Sequence, residues 1–137
     1  MPYLTWDDHT MSVHVGVLDD DHRILVSMIN DLFGSLQDGR DKQAIVAILD
    51  KLVARTIEHF SLEESYFAKT EYPEASPHMI AHAEMTELVL TYQQECKSGN
   101  PDAFMAEKAN FLWNWLVNHD LTLDKKYGPY LNSKGVL

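Results

Sequence analysis

Four stretches of this chain carry apolar residues at three-, four- or seven-residue steps, and every one of these stripes is interrupted by histidine. The first, about Leu18 to Leu36, reads Leu18, His22, Leu25, Ile29, Leu32, Leu36. The second, about Asp41 to Thr70, reads Ile45, Leu49, Leu52, Thr56, His59, Glu63, Tyr66. The third opens at Ser76-Pro77 and reads His78, His82, Met85, Val89, Tyr92, Cys96. The fourth opens near Asn100-Pro101 and reads Met105, Leu112, Trp115, His119, with Leu123 beyond. Such steps repeat one face of a helix that packs on other helices. No stretch sustains the period-two alternation of a strand.

Glycine and proline mark the divisions: Gly34 and Gly39, Pro73 and Pro77, Gly99 and Pro101, Gly128 and Pro129. Asp41 after Gly39 suits a helix N-cap, and Ser76-Pro77 suits an N-cap followed by proline at the first helical position. Four amphipathic helices with short links predict an all-α, up-down-up-down four-helix bundle over about residues 18–127. An N-terminal arm, about residues 1–17, should pack across it, and a short tail should follow. At 137 residues one domain, 1–137, is expected.

Lys and Arg number 11 against 21 Asp and Glu, a net charge of −10. That balance argues against nucleic acid and against docking on an anionic membrane. No apolar run approaches the ~20 residues of a spanning helix. Met1 to Asp8 lacks the basic and apolar regions of a secretory signal. A single cysteine, Cys96, permits no internal disulfide. A cytoplasmic location and a monomer are the expectation.

The histidines carry the chemistry. Five of the seven, His22, His59, His78, His82 and His119, lie on inward stripes, as does Glu63, and Asp124 ends the fourth segment. A buried, unpaired ionisable group costs several kcal/mol, so this many in one bundle need a common partner, and a metal supplies it. His59 with Glu63, and His78 with His82, are four residues apart and share a helix face, about 5–6 Å between Cβ atoms. His119 and Asp124 are five apart, about 140° around an ideal helix, and fit only if the helix loosens or ends between them. Seven ligands exceed the four of a structural zinc. They suit two six-coordinate metals bridged by the carboxylates, and imidazole with carboxylate favours iron. His9 and His14 lie off any stripe and read as surface or arm-packing residues. Glu64 points about 100° from Glu63 and reads as solvated. Asp19-Asp20-Asp21 reads as charging the start of the first helix, and Trp115 as core, with a site-lining role as the alternative.

These residues resemble the hemerythrin family, and specifically its single-domain bacterial members. The motifs are Leu18-Asp19-Asp20-Asp21-His22, His59-Phe60-Ser61-Leu62-Glu63, His78-Met79-Ile80-Ala81-His82, and Trp115-Leu116-Val117-Asn118-His119 with Asp124 five residues on. The resemblance runs from Trp6 to near Tyr127. It implies reversible O2 binding at two iron ions (Fe2+/Fe3+) joined by a hydroxo or oxo group. His78, His82 and His119 would hold one iron. His22 and His59 would hold the other and leave it an open position, with Glu63 and Asp124 bridging. Leu25, Phe60, Trp115 and Leu116 would wall that open position with apolar surface.

One position departs from the family. Asp120 stands directly after the last histidine, where an apolar residue is usual. Facing solvent at the helix end is the simpler placement, and admitting water or a proton to the pocket is the alternative. The implied role is oxygen storage, transport or delivery, with O2 and an oxygen-consuming enzyme as partners. The alternatives are a stand-alone O2 or redox sensor and a di-iron oxidase or peroxidase. Di-iron oxidases of this architecture carry more carboxylates, in Glu-x-x-His pairs. Five histidines with two carboxylates favour a non-enzyme.

Overall fold

The computed structural model describes residues 5–99 and 101–137, with the side chains of residues 101–106, 109, 120 and 121 outside the described set. A short α1 (Asp8–Met11) precedes four long helices: α2 (Gly16–Gln37), α3 (Lys42–Thr70), α4 (Ala75–Ser98) and α5 (Pro101–His119). A π-helical turn (Asp120–Asp124) then leads into α6 (Lys125–Ser133). No strand occurs among the described residues. The links between the long helices are short, so neighbours run antiparallel. α2 packs on α3 and α5, α3 on α4, and α4 on α5. This is the expected four-helix bundle. No helix among the described residues is long and apolar enough to cross a membrane.

The ends of the helices follow local chemistry. Asp41 caps α3 as expected, its Oδ1 accepting from the Ala44 N–H at 2.9 Å. Ser76 does not cap α4. That helix starts two residues earlier than expected, at Ala75, with Glu74 at the cap position and no side-chain cap bond. Ser76 and Pro77 therefore lie in the first turn, where proline is tolerated because the N–H it lacks would have no helical partner. α5 opens at Pro101, while Asn100 and the Met105 side chain lie outside the described residues. Gly128 and Pro129 do not end the chain's helical part: α6 runs through both to Ser133.

Among the described residues, two apolar clusters fill the bundle. The larger one contains Leu25, Ile29, Leu49, Leu52, Met85, Val89, Leu112 and Leu116. The smaller one contains Val13, Val15, Leu18, Phe67, Tyr72, Tyr127 and Leu131. Along α2, α3 and α4, and from α5 into α6, the histidines fall between a residue of one cluster and a residue of the other, so the bundle holds a polar layer between two dry ones.

The arm completes the smaller cluster. Asp19, in the first turn of α2, accepts from the Ser12 hydroxyl at 2.6 Å and from the Val13 N–H at 2.8 Å. Asn132 of α6 donates to the His14 carbonyl at 2.9 Å. Backbones touch at Gly128, where an added Cβ would stand 2.4 Å from the Val13 carbonyl oxygen. Gly128→Ala therefore has to part arm from α6. We expect a loss of about 1–3 kcal/mol, read as a thermal midpoint about 5–10 °C lower. An unchanged midpoint would contradict this docking.

Candidate metal centre

The structure brings all seven inward candidates together. His22, His59, Glu63, His78, His82, His119 and Asp124 are each at most 6% exposed. Their donor atoms form two groups, Glu63–His78–His82–His119–Asp124 and His22–His59–Glu63–Asp124, with each carboxylate common to both. His9 and His14 are exposed and belong to neither group.

The π-helical turn places the last residue of this set. In an ideal α-helix Asp124 would point well away from His119. Winding the backbone in an i→i+5 turn over Asp120–Asp124 restores it to the same face, and Asp124 Oδ1 lies 2.8 Å from His119 Nε2. The five-residue spacing is thus a local change of helical pitch.

The distances fit a cation in each group. His22 and His59 face one another through Nε2 atoms 2.9 Å apart, and His78 and His119 do so at 3.0 Å. His82 Nε2 stands 3.0 Å from Glu63 Oε1, and Asp124 lies 3.0 Å from both His22 and His78. Donors set at right angles around a metal with ~2.1 Å bonds lie ~3.0 Å apart, and tetrahedral ones ~3.4 Å. These edges fit six-coordination, while Glu63 stands farther from His59, His78 and His22, at 3.5, 3.8 and 3.9 Å. Moreover, Glu63 Oε1, His82 Nε2 and both Asp124 oxygens make no hydrogen bond despite these separations. Their lone pairs converge on common points rather than on one another. Buried polar atoms left this way need a partner, and a metal ion fits.

Charge tells the same story for the metal-free chain. Burial pushes His59 down, but the Glu63 charge and a hydrogen bond to Asp21 outweigh it and lift the imidazole from 6.5 to about 10. Burial also opposes charging of His22, yet Asp124 raises it. Burial pushes both carboxylates up, the Asp124 charge adds to this at Glu63, and His59 and His82 still hold Glu63 below the usual carboxylate range. Asp124 is held well below that range, foremost by His119 against its burial. Without a cation, His59 and His22 hold protons in its place.

Three neighbours of the cluster were not read from the stripes. Asp21 Oδ2 accepts from His59 Nδ1 at 3.1 Å and also pairs with Arg55. Glu64 is not simply solvated: its Oε2 accepts from His82 Nδ1 at 3.0 Å. An ionised carboxylate can only accept, so each fixes the proton on Nδ1 and leaves Nε2 free toward the centre. The aspartate run therefore divides its work: Asp19 ties the arm, Asp20 pairs with exposed Arg23, and Asp21 orients His59. Tyr127 is the third neighbour, its hydroxyl donating to Glu63 Oε2 at 2.5 Å. Its position three residues after Asp124 was the available signal.

A narrow cavity of about 30 Å³ abuts the cluster. All four expected wall residues, Leu25, Phe60, Trp115 and Leu116, line it. His22, His59, His119 and Asp124 also border it, whereas His78 and His82 do not. On this measure a single water needs ~10–15 Å³, so the space suits a very small ligand. Thr56 is a polar lining residue, and its hydroxyl is tied back to the Leu52 carbonyl at 2.8 Å. Trp115 stacks on His119 with centroids 4.4 Å apart, and Phe60 on His82 at 4.0 Å. The Asp120 side chain lies outside the described residues.

The chain matches the family model of the hemerythrin HHE cation binding domain over residues 13–131. It is 29% identical to the bacteriohemerythrin of Methylococcus capsulatus over 97% of this chain and 100% of that one. It is 31% identical to the myohemerythrin of Riftia pachyptila, covering 92% of this chain and 91% of the relative. A crystal structure of wild-type hemerythrin superposes with a TM-score of 0.87 at 28% identity, covering 95% of this chain and 98% of that one.

Two outcomes are expected of this geometry. Glu63→Ala removes a carboxylate common to both groups, so metal titration with elemental analysis should find fewer than two divalent ions per chain, against two for His9→Ala. Equal loading of both variants would contradict the arrangement. The second outcome concerns pH. The raised His59 value stabilises the metal-free chain fully below about 6.5, and that contribution is lost as pH rises to about 10. Metal binding needs the deprotonated nitrogen and gains as pH rises. The gap between loaded and metal-free thermal midpoints should widen from pH 6 to 9; a constant gap would contradict this.

Proposed function

The chain belongs to the hemerythrin family, and from that premise we propose that it is a reversible O2 binder, not an enzyme, that stores, transports or delivers oxygen. Family membership and the two-group donor cluster together support O2 binding at a non-haem di-iron centre. His78, His82 and His119 would hold one iron and His22 with His59 the other, with Glu63 and Asp124 reaching both. When bound, the iron pair supplies an open coordination position and the electrons that O2 binding requires.

The chain's own residues do the rest. Asp21 and Glu64 present the His59 and His82 Nε2 lone pairs inward. Phe60 and Trp115 hold imidazoles by stacking. Leu25, Leu116 and their apolar neighbours exclude water, and the tied Thr56 hydroxyl offers no loose proton to the cavity. The observation that carries the reading is where the cavity lies. It borders both imidazoles of the group that has only two, His22 and His59, but only one of the three in the other, His119.

The proposal extends to a cytoplasmic monomer that hands O2 to an oxygen-consuming enzyme. The net charge of −10 supports it by opposing self-association. The test is the visible spectrum of the reduced, iron-loaded protein under O2 and after purging with inert gas. A new band that comes and goes over repeated cycles is expected. A band that forms once and decays to ferric protein would overturn reversible binding.

A further inference from the structure

Tyr127 is fully buried, and its hydroxyl donates to one particular oxygen of Glu63. The two oxygens of that carboxylate face different ways. Oε2, which takes the Tyr127 hydrogen bond, lies 3.5 Å from His59 Nε2 and 3.9 Å from His22 Nε2. Oε1 lies 3.0 Å from His82 Nε2 and 3.8 Å from His78 Nε2. The phenol therefore acts on the half of the centre that borders the cavity.

We infer that Tyr127 is a positioning residue that, through Glu63 Oε2, sets how readily the metal held by His22 and His59 is oxidised. This rests on the di-iron reading above. A hydrogen bond donated to an ionised carboxylate is short and strong, and it draws negative charge from the accepting oxygen. An oxygen so depleted is a poorer donor to a cation. A ferric ion, with the larger charge, loses more by this than a ferrous ion does. The hydrogen bond thus favours the ferrous form, which is the form able to take up O2.

The geometry makes this a fixed influence. Tyr127 packs against Phe67 at 5.6 Å and His78 at 5.7 Å between ring centroids. The next residue, Gly128, is pressed on the Val13 carbonyl. The Tyr127 hydroxyl meets Glu63 from the side of the smaller apolar cluster, and Tyr127 does not line the cavity. It polarises the carboxylate without offering its proton to a ligand held there.

The experiment compares wild type, Tyr127→Phe, and chains with fluorinated tyrosines of rising phenol acidity incorporated at position 127 alone. In the metal-free protein, the infrared carboxylate stretch of Glu63, identified by its loss in Glu63→Gln, should shift in Tyr127→Phe and move progressively along the fluorotyrosine series. In the iron-loaded protein the reduction potential should fall in Tyr127→Phe and climb with phenol acidity. Oxidation of the reduced Tyr127→Phe protein should be roughly threefold to tenfold faster than wild type. A flat series, with an infrared band and a potential that ignore phenol acidity, would reduce Tyr127 to packing and overturn the inference. Should Tyr127→Phe fail to fold, the fluorotyrosine series decides alone, since it keeps the hydroxyl. Failure of wild type to bind O2 reversibly would instead strike the function proposed above, and the infrared comparison would still stand.

Discussion

Seven ionisable side chains lie in one layer of a bundle core, between two clusters of aliphatic and aromatic residues. Taken from water without a partner, each ionised group costs several kcal/mol, and seven together exceed the net stability of a domain this size. Everything else about the chain serves to make that layer tolerable. The carboxylates are common to two groups, so their negative charge is distributed over five imidazoles. The imidazole nitrogens stand at the separations of donors around a shared cation. Metal and fold are therefore coupled: the ions satisfy the layer, and the two dry clusters hold the layer in register.

The neighbours of the seven determine what they can do. Asp21 and Glu64 decide which nitrogen of His59 and His82 faces inward, and Tyr127 acts on one oxygen of Glu63. The arm and α6 look like appendages to the bundle. In fact they close the smaller cluster over the layer, through Asp19, Asn132 and the backbone contact at Gly128. On the opposite side the larger cluster leaves a small apolar cavity beside His22 and His59. One side of the layer is locked, and the other leaves a space of about 30 Å³.

The bundle and the cluster were legible because both depend on period. Leu18, His22, Leu25 and Ile29 announce one helix face, and a histidine on such a face asks for an explanation that leucine does not. The groups that orient the cluster were not legible, because they sit off the stripe. Asp21 and Glu64 neighbour His22 and Glu63 in sequence but turn about 100° away, toward a helix that a single-helix projection does not include. The i+5 pair His119 and Asp124 looked discordant because the projection assumes one pitch. Ser76 follows a similar logic: a good capping residue does not cap when the chain starts its helix two residues sooner.

The bundle is built to hold two metal ions, with Glu63 and Asp124 common to both donor groups. The most direct measurement is a crystal structure of the iron-loaded protein with anomalous data collected at the iron edge. It should show two peaks, one among His78, His82 and His119 and one beside His22 and His59, with both carboxylates reaching each. A single peak, or iron found only at His9, His14 or the acidic surface, would contradict it.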